Sequence, residues 1–133
     1  MSQDNVTLIK RLYEAFGRGD IPAVLDFFDP TIEWIAADNS PLADRSPYHG
    51  VHEVREQVFR RVVADFDVTI EVDELFEAGE KVVMLGFYHG VRKATGKRFR
   101  AQAAHIWTIA AGKVVKFQQY TDTYQLAEST RML

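Results

Sequence analysis

Residues 97–121 read KRFRAQAAHIWTIAAGKVVKFQQYT. Phe99, Ala101, Ala103, His105 and Trp107 alternate there with Arg98, Arg100, Gln102 and Thr108. Apolar side chains at every second position are the mark of a strand with one buried face. Ala94-Thr95-Gly96 precedes this strand and Ala110-Ala111-Gly112 follows it. Both read as three-residue hairpin loops, a type I turn followed by glycine in the left-handed region. That reading pairs Lys93 with Lys97 and Ile109 with Lys113. Counting outward sets Leu85 opposite His105, Phe87 opposite Ala103, His89 opposite Ala101, Trp107 opposite Val115 and His105 opposite Phe117. One sheet face then carries Val83, Leu85, Phe87, His89, Phe99, Ala101, Ala103, His105, Trp107, Val115, Phe117, Gln119 and Thr121. The other carries Arg98, Arg100, Gln102, Thr108, Lys116 and Gln118, so the first face is expected to point inward.

Before this segment the period changes. Val6, Ile9, Leu12, Tyr13 and Phe16 share one face at helical spacing, and Gly17-Arg18-Gly19 ends that helix. Asp20 caps a second helix, with Pro22 in its first turn, and Asp29-Pro30 is expected to stop it. Thr31 to Ala36 alternates as a strand with Ile32, Trp34 and Ala36 on one side, and a polar loop runs from Asp38 to Gly50. A third helix begins near Gly50, its stripe made by Val51, Val54, Val58, Phe59 and Val62. Phe66, Val68, Ile70 and Val72 open the first strand of a meander whose first turn is Gly79-Glu80. Helices first and strands later predict one α+β domain over residues 1–133, with three N-terminal helices packed on an antiparallel sheet.

Small residues among large ones on a buried face leave room. Ala101 and Ala103 are therefore expected to floor a pocket with His89, His105 and Gln119 at its edge, walled by Trp34, Phe59, Phe87, Trp107 and Phe117. A helix packed directly on the two alanines is the alternative.

Several functions are disfavoured. The net charge is −3 and the basic residues are scattered, which gives no electrostatic case for nucleic acid or an anionic membrane. The 133 residues include no cysteine, which excludes disulfides and thiolate ligands. No basic-then-apolar leader and no membrane-length apolar run occur, so the cytoplasm is the expected setting. His49-x-x-His52-Glu53 lacks the spacing and the third ligand of a metal site. No nucleotide-binding glycine motif or Gly-x-Ser-x-Gly elbow is found. No metal and no cofactor are expected.

Three stretches carry a family resemblance: YEAFGRGDIPAVLDFFDPTIEW at 13–34, YHGVHEVREQVF at 48–59 and AHIWTIAAGKVVKFQQYTDTYQL at 104–126. Together they resemble the ketosteroid-isomerase-related, SnoaL-like (polyketide-cyclase-like) proteins of the nuclear-transport-factor-2-like superfamily. The resemblance implies a cone-shaped fold on a curved sheet, a pocket for a small apolar molecule, and homodimers formed through the outer sheet face. The steroid isomerases use an Asp base with a Tyr and a protonated Asp as oxyanion donors. Here Trp34 stands at the position of the base, and Leu12 at that of the tyrosine, with Tyr13 about 100° round the helix. His105 matches the oxyanion Asp if the turn before Lys113 is one residue shorter. Steroid isomerisation by that route is therefore not expected.

The cyclase-like members resemble this chain in a Gly-Lys-hydrophobic-Val motif followed by an acid/base Asp, which here is Asp122. His105 and Asp122 are accordingly the candidate catalytic pair, for cofactor-independent isomerase, cyclase or lyase chemistry beside a carbonyl. Two alternatives stay open. Asp122 with Gln125 also reads as a capping box, and the pocket also suits a non-catalytic binding or association module.

Overall fold

The computed structural model describes residues 2–131. Helix α1 (Ser2–Gly17) buries Ile9, Leu12 and Ala15, as the helical spacing requires. Helix α2 (Ile21–Asp26) is capped by Asp20, whose side chain accepts from Ala23 N at 3.2 Å. It ends three residues before the expected stop, and Asp29-Pro30 falls inside strand β1 (Phe28–Ile35). Proline fits there because the β1 ladder is interrupted between Phe28 and Glu33, so no bonded N–H is needed. Ile32, Trp34 and Ala36 are buried, in the predicted alternation.

A short strand β2 (Tyr48–His49), hidden in what reads as loop, pairs with β1. The third predicted helix is built from α3 (Val51–Val54), a π-helical turn (Arg55–Phe59) and α4 (Arg60–Asp65). The wide turn keeps Val58 and Phe59 buried together. Four strands follow: β3 (Phe66–Ala78), β4 (Lys81–Arg92), β5 (Arg98–Ala110) and β6 (Lys113–Thr121), then a helix α5 (Thr123–Glu128).

The sheet order is β2-β1-β6-β5-β4-β3, with β1 parallel to β6 and every other pair antiparallel. Irregularities at Val72/Glu74 and at Thr108/Ile109 bend it into a curve around the helices. Among the described residues no helix is long and apolar enough to cross a membrane.

The predicted β4–β5 register is off by one residue. Met84, not Leu85, lies opposite His105; Gly86 faces Ala103 and Tyr88 faces Ala101. The connecting loop has four residues, Lys93 to Gly96: Arg92 N donates to Lys97 O at 2.9 Å, and Gly96 N donates to Arg92 O at 2.8 Å. Because side chains alternate, a slip of one turns a whole strand over. Val82, Met84 and Tyr88 face inward, while Phe87 and His89 are on the outer face.

The next hairpin also departs from the prediction, without that consequence. Its loop has two residues, Ala111 (φ +50°) and Gly112 (φ +76°), and Ala110 pairs with Lys113. The extra residue at Val115 then restores the parity: Trp107 faces Phe117 and His105 faces Gln119. Val114 rather than Val115 is buried.

Candidate functional site

The core is divided. One cluster joins α1, the π-helical turn, β1, β5 and β6 through Leu12, Phe59, Trp34, Trp107 and Phe117. A second gathers Phe66, Phe99 and Leu126, with Val68 and Tyr88 against it. The cavity, of about 120 Å³, is lined from both clusters, and Ser40, Pro41 and Leu42 from the loop before β2 complete its wall. Among the described residues no charged side chain lines it.

Ser40 apart, its polar side chains form a connected chain across four elements. Trp107 Nε1 donates to Tyr13 Oη at 2.9 Å, and Tyr13 Oη lies 2.7 Å from His105 Nδ1. His105 Nε2 lies 2.5 Å from Tyr88 Oη. Gln119 Nε2 donates to Tyr88 Oη at 2.8 Å, while Gln119 Oε1 accepts from Ala37 N at 3.1 Å. The Ala37 N–H can only donate, so it fixes which end of the Gln119 amide faces the tyrosine. Each of these side chains therefore has its partner, as buried polar groups require.

Electrostatics follow from burial. His105 is 3% exposed, with Phe117 edge-on at 4.9 Å and Tyr13 stacked at 5.9 Å. Desolvation depresses its pKa to about 3, so the imidazole is neutral near pH 7. A histidine at its ordinary pKa is poised near neutrality; this one is not. Burial raises the pKa of both Tyr13 and Tyr88, which keeps the phenols protonated.

The sequence profile of the SnoaL-like domain matches residues 9–117. The chain belongs to the SnoaL-like family. An NTF2-like protein from Burkholderia thailandensis has 35% identity and a TM-score of 0.88, the match covering 95% of this chain and 96% of that one. An NTF2-like protein from Burkholderia xenovorans has 29% identity and a TM-score of 0.86, covering 98% of each chain. TerC, crystallised with polyporic acid, shares the fold at 22% identity and a TM-score of 0.82, covering 94% of this chain and 96% of its own. Comparison with curated protein sequences returns no match.

In this SnoaL-like domain the predicted site residues divide by position. Trp34, Phe59, His105, Trp107, Phe117 and Gln119 line the cavity. Phe87 and His89 do not: the register turns them outward, where Arg100 lies 3.8 Å over the Phe87 ring and His89 Nε2 meets Glu71 Oε1 at 2.7 Å. Ala101 and Ala103 are buried but do not line the cavity. Tyr88, which starts opposite Ala101 and ends on His105, must cross the intervening Ala103 position, so its phenol fills the space the alanines leave. Asp122 is exposed at the N-cap of α5, accepts from Gln125 N at 3.3 Å and is not among the lining residues.

Tyr13 and Tyr88 also line the cavity, and neither is among the expected site residues. Tyr13 belongs to the α1 stripe beside Leu12, which stands at the position of the steroid isomerases' tyrosine; both line the cavity. Tyr88 carried no usable signal, because its face depends on the register. His49-x-x-His52-Glu53 is engaged locally: Glu53 Oε1 accepts from His49 N at 3.0 Å, and His52 Nδ1 contacts Arg55 Nη2 at 2.9 Å.

Proposed function

We propose that this SnoaL-like domain encloses a ring of a small, mostly apolar carbonyl compound and polarises its oxygen through the His105 network. The observation that carries this reading is a polar chain, Trp107–Tyr13–His105–Tyr88–Gln119, set into the wall of a cavity whose other described lining residues are apolar save Ser40. Such a site orients a ligand by a few polar groups and holds it by apolar area. Its size, about 120 Å³, is close to the ~150 Å³ apolar cavity that admits a benzene ring. TerC was crystallised with polyporic acid, and a small-molecule occupant is in keeping with the cavity here.

A hydrogen bond to a carbonyl oxygen favours enolisation and hence isomerase or lyase chemistry. His105, with its phenols, would hold or relay the proton at that oxygen. The α-proton would leave to a base from solvent, since among the described residues no carboxylate lines the cavity. That same absence favours a second reading, a binding protein without turnover. Dimerisation through the outer sheet face and a cytoplasmic setting are also part of the proposal; exposed Arg98, Arg100, Gln102 and Lys116 would make that interface polar.

The chain's two tryptophans both line the cavity and so report its occupancy. A deuterated bicyclic ketone should quench their fluorescence saturably and lose its α-deuterium at least tenfold faster with wild type than with His105→Gln. Saturable binding with exchange no faster than in buffer would leave a binding protein. No quenching by any such ketone would overturn both readings.

A further inference from the structure

Trp107 Nε1 and Gln119 Nε2 each donate to one tyrosine oxygen, at 2.9 and 2.8 Å, and neither nitrogen can do otherwise. Each tyrosine then meets one nitrogen of the same imidazole. A neutral imidazole has one N–H and one bare nitrogen. Two phenols and one imidazole thus bring three protons to two O···N contacts, and each contact holds one.

We infer that the Tyr13–His105–Tyr88 triad carries one hydrogen-bond donor more than the protein can accept, and that this O–H is presented to the cavity by whichever tyrosine the His105 tautomer leaves free. With the ring proton on Nε2, Tyr13 donates to Nδ1 and the Tyr88 hydroxyl is released. With the proton on Nδ1, Tyr88 donates to Nε2 and the Tyr13 hydroxyl is released. The freed hydroxyl already accepts two N–H groups, so it can give a hydrogen bond but take none. Among the described residues neither hydroxyl has an acceptor besides the ring. Both tyrosines line the cavity, which is where the displaced proton can find one.

The consequence is a ligand class, resting on the reading of the cavity as a ligand site. The occupant carries a hydrogen-bond acceptor, a carbonyl or an oxyanion, on its ring or next to it. A hydrocarbon of the same shape leaves a buried O–H unmet, and an occupant offering only donors meets the wrong partner. The two tyrosines give the acceptor two places to bind, and a change of His105 tautomer moves the donor between them.

The proton count is tested without any ligand, on the full chain labelled with ¹⁵N-histidine. Tyr13→Phe should place the ring proton on Nδ1, and Tyr88→Phe should place it on Nε2, seen as opposite pyrrole-like and pyridine-like ¹⁵N assignments. The same tautomer in both variants would overturn the inference. So would an imidazolium signal for His105 in wild type at pH 7, a measurement that needs no variant to fold. The ligand class is tested with 1-indanone against indane, read by tryptophan quenching. The ketone should bind about tenfold more tightly and shift the His105 ¹⁵N signals. Equal binding with unmoved signals would overturn the inference and leave the cavity reading standing. Binding of neither would overturn the cavity reading, and the ligand class with it.

Discussion

The Tyr88 side chain starts opposite Ala101 and ends with its hydroxyl 2.5 Å from His105 Nε2. This diagonal link ties the inner face of β4 to that of β5 and places a phenol between the two apolar clusters. It also completes the burial of His105, from which a pH dependence follows. The folded-state pKa of about 3 lies below the ordinary 6.5, so between those values the unfolded chain binds the extra proton. Stability should be full above pH 6.5 and fall as pH drops towards 3, by at most ~1.4 kcal/mol per unit from this group. Urea midpoints measured from pH 7 to 4.5 should fall further for wild type than for His105→Gln; parallel curves would contradict the assignment.

Phe87 offers a contrast with its neighbour. It lies outside, under the Arg100 guanidinium at 3.8 Å. Phe87→Ala should cost less than about 1 kcal/mol, the scale of an exposed cation–π contact, and leave ligand quenching unchanged. A loss of binding in that variant would mean that β4 turns its other face to the cavity.

Asp122 separates a capping role from a chemical one. It accepts from Gln125 N at the start of α5. Asp122→Ala should lose about 1 kcal/mol of stability in chemical denaturation, whereas Asp122→Asn, an equally good cap, should lose almost none. Both variants should turn over or bind the ketone as wild type does. Inactive, stable Asp122→Asn would restore the acid/base role implied by the cyclase-like relatives.

Gly86 permits the close approach of β3 to β4 beside the Val72/Glu74 bulge. A Cβ there would lie 1.9 Å from Glu71 O, which is backbone and cannot swing away. Gly86→Ala should destabilise by about 1–3 kcal/mol or more, as overpacking does. A wild-type denaturation midpoint would show that β3 shifts freely, against the curvature described here.

Arg61 holds the loop that closes the cavity. Its guanidinium reaches Asp44 Oδ1 at 3.0 Å, Asp44 Oδ2 at 3.3 Å and Pro41 O at 3.3 Å, while Pro41 and Leu42 form part of the cavity wall. The pair is partly exposed, so Arg61→Ala should change global stability by less than about 1 kcal/mol. Local opening should still rise: amide exchange at Ser40 and Ala43 should quicken severalfold, with faster ligand release. Unchanged exchange at both amides would show that the loop is held by other contacts.

The amino-acid pattern alone determined the α+β architecture, the helical stripes, and the inner face of β5 with His105 and Trp107 on it. There, charged and polar residues alternate with apolar ones, so only one face can be buried. Strand β4 is different. Val82, Met84 and Tyr88 on one side and Val83, Leu85 and Phe87 on the other are about equally apolar, and period two cannot choose between them. The choice was made by the length of the following turn, and Lys93 N donates to Asp65 O at 2.8 Å, a contact from the end of α4 to a residue far along the chain. Only the packed structure contains that bond, and with it came the exchange of Phe87 and His89 for Tyr88 in the site. The β5–β6 turn also differs from the expected one, but the bulge at Val115 restores the parity, so Phe117 and Gln119 lie on the face that the alternation predicts. The position of His105 on the inner face, at the cavity wall, was legible. Its neutrality was not, because a histidine's charge is set by the aromatic rings and phenols that fold around it.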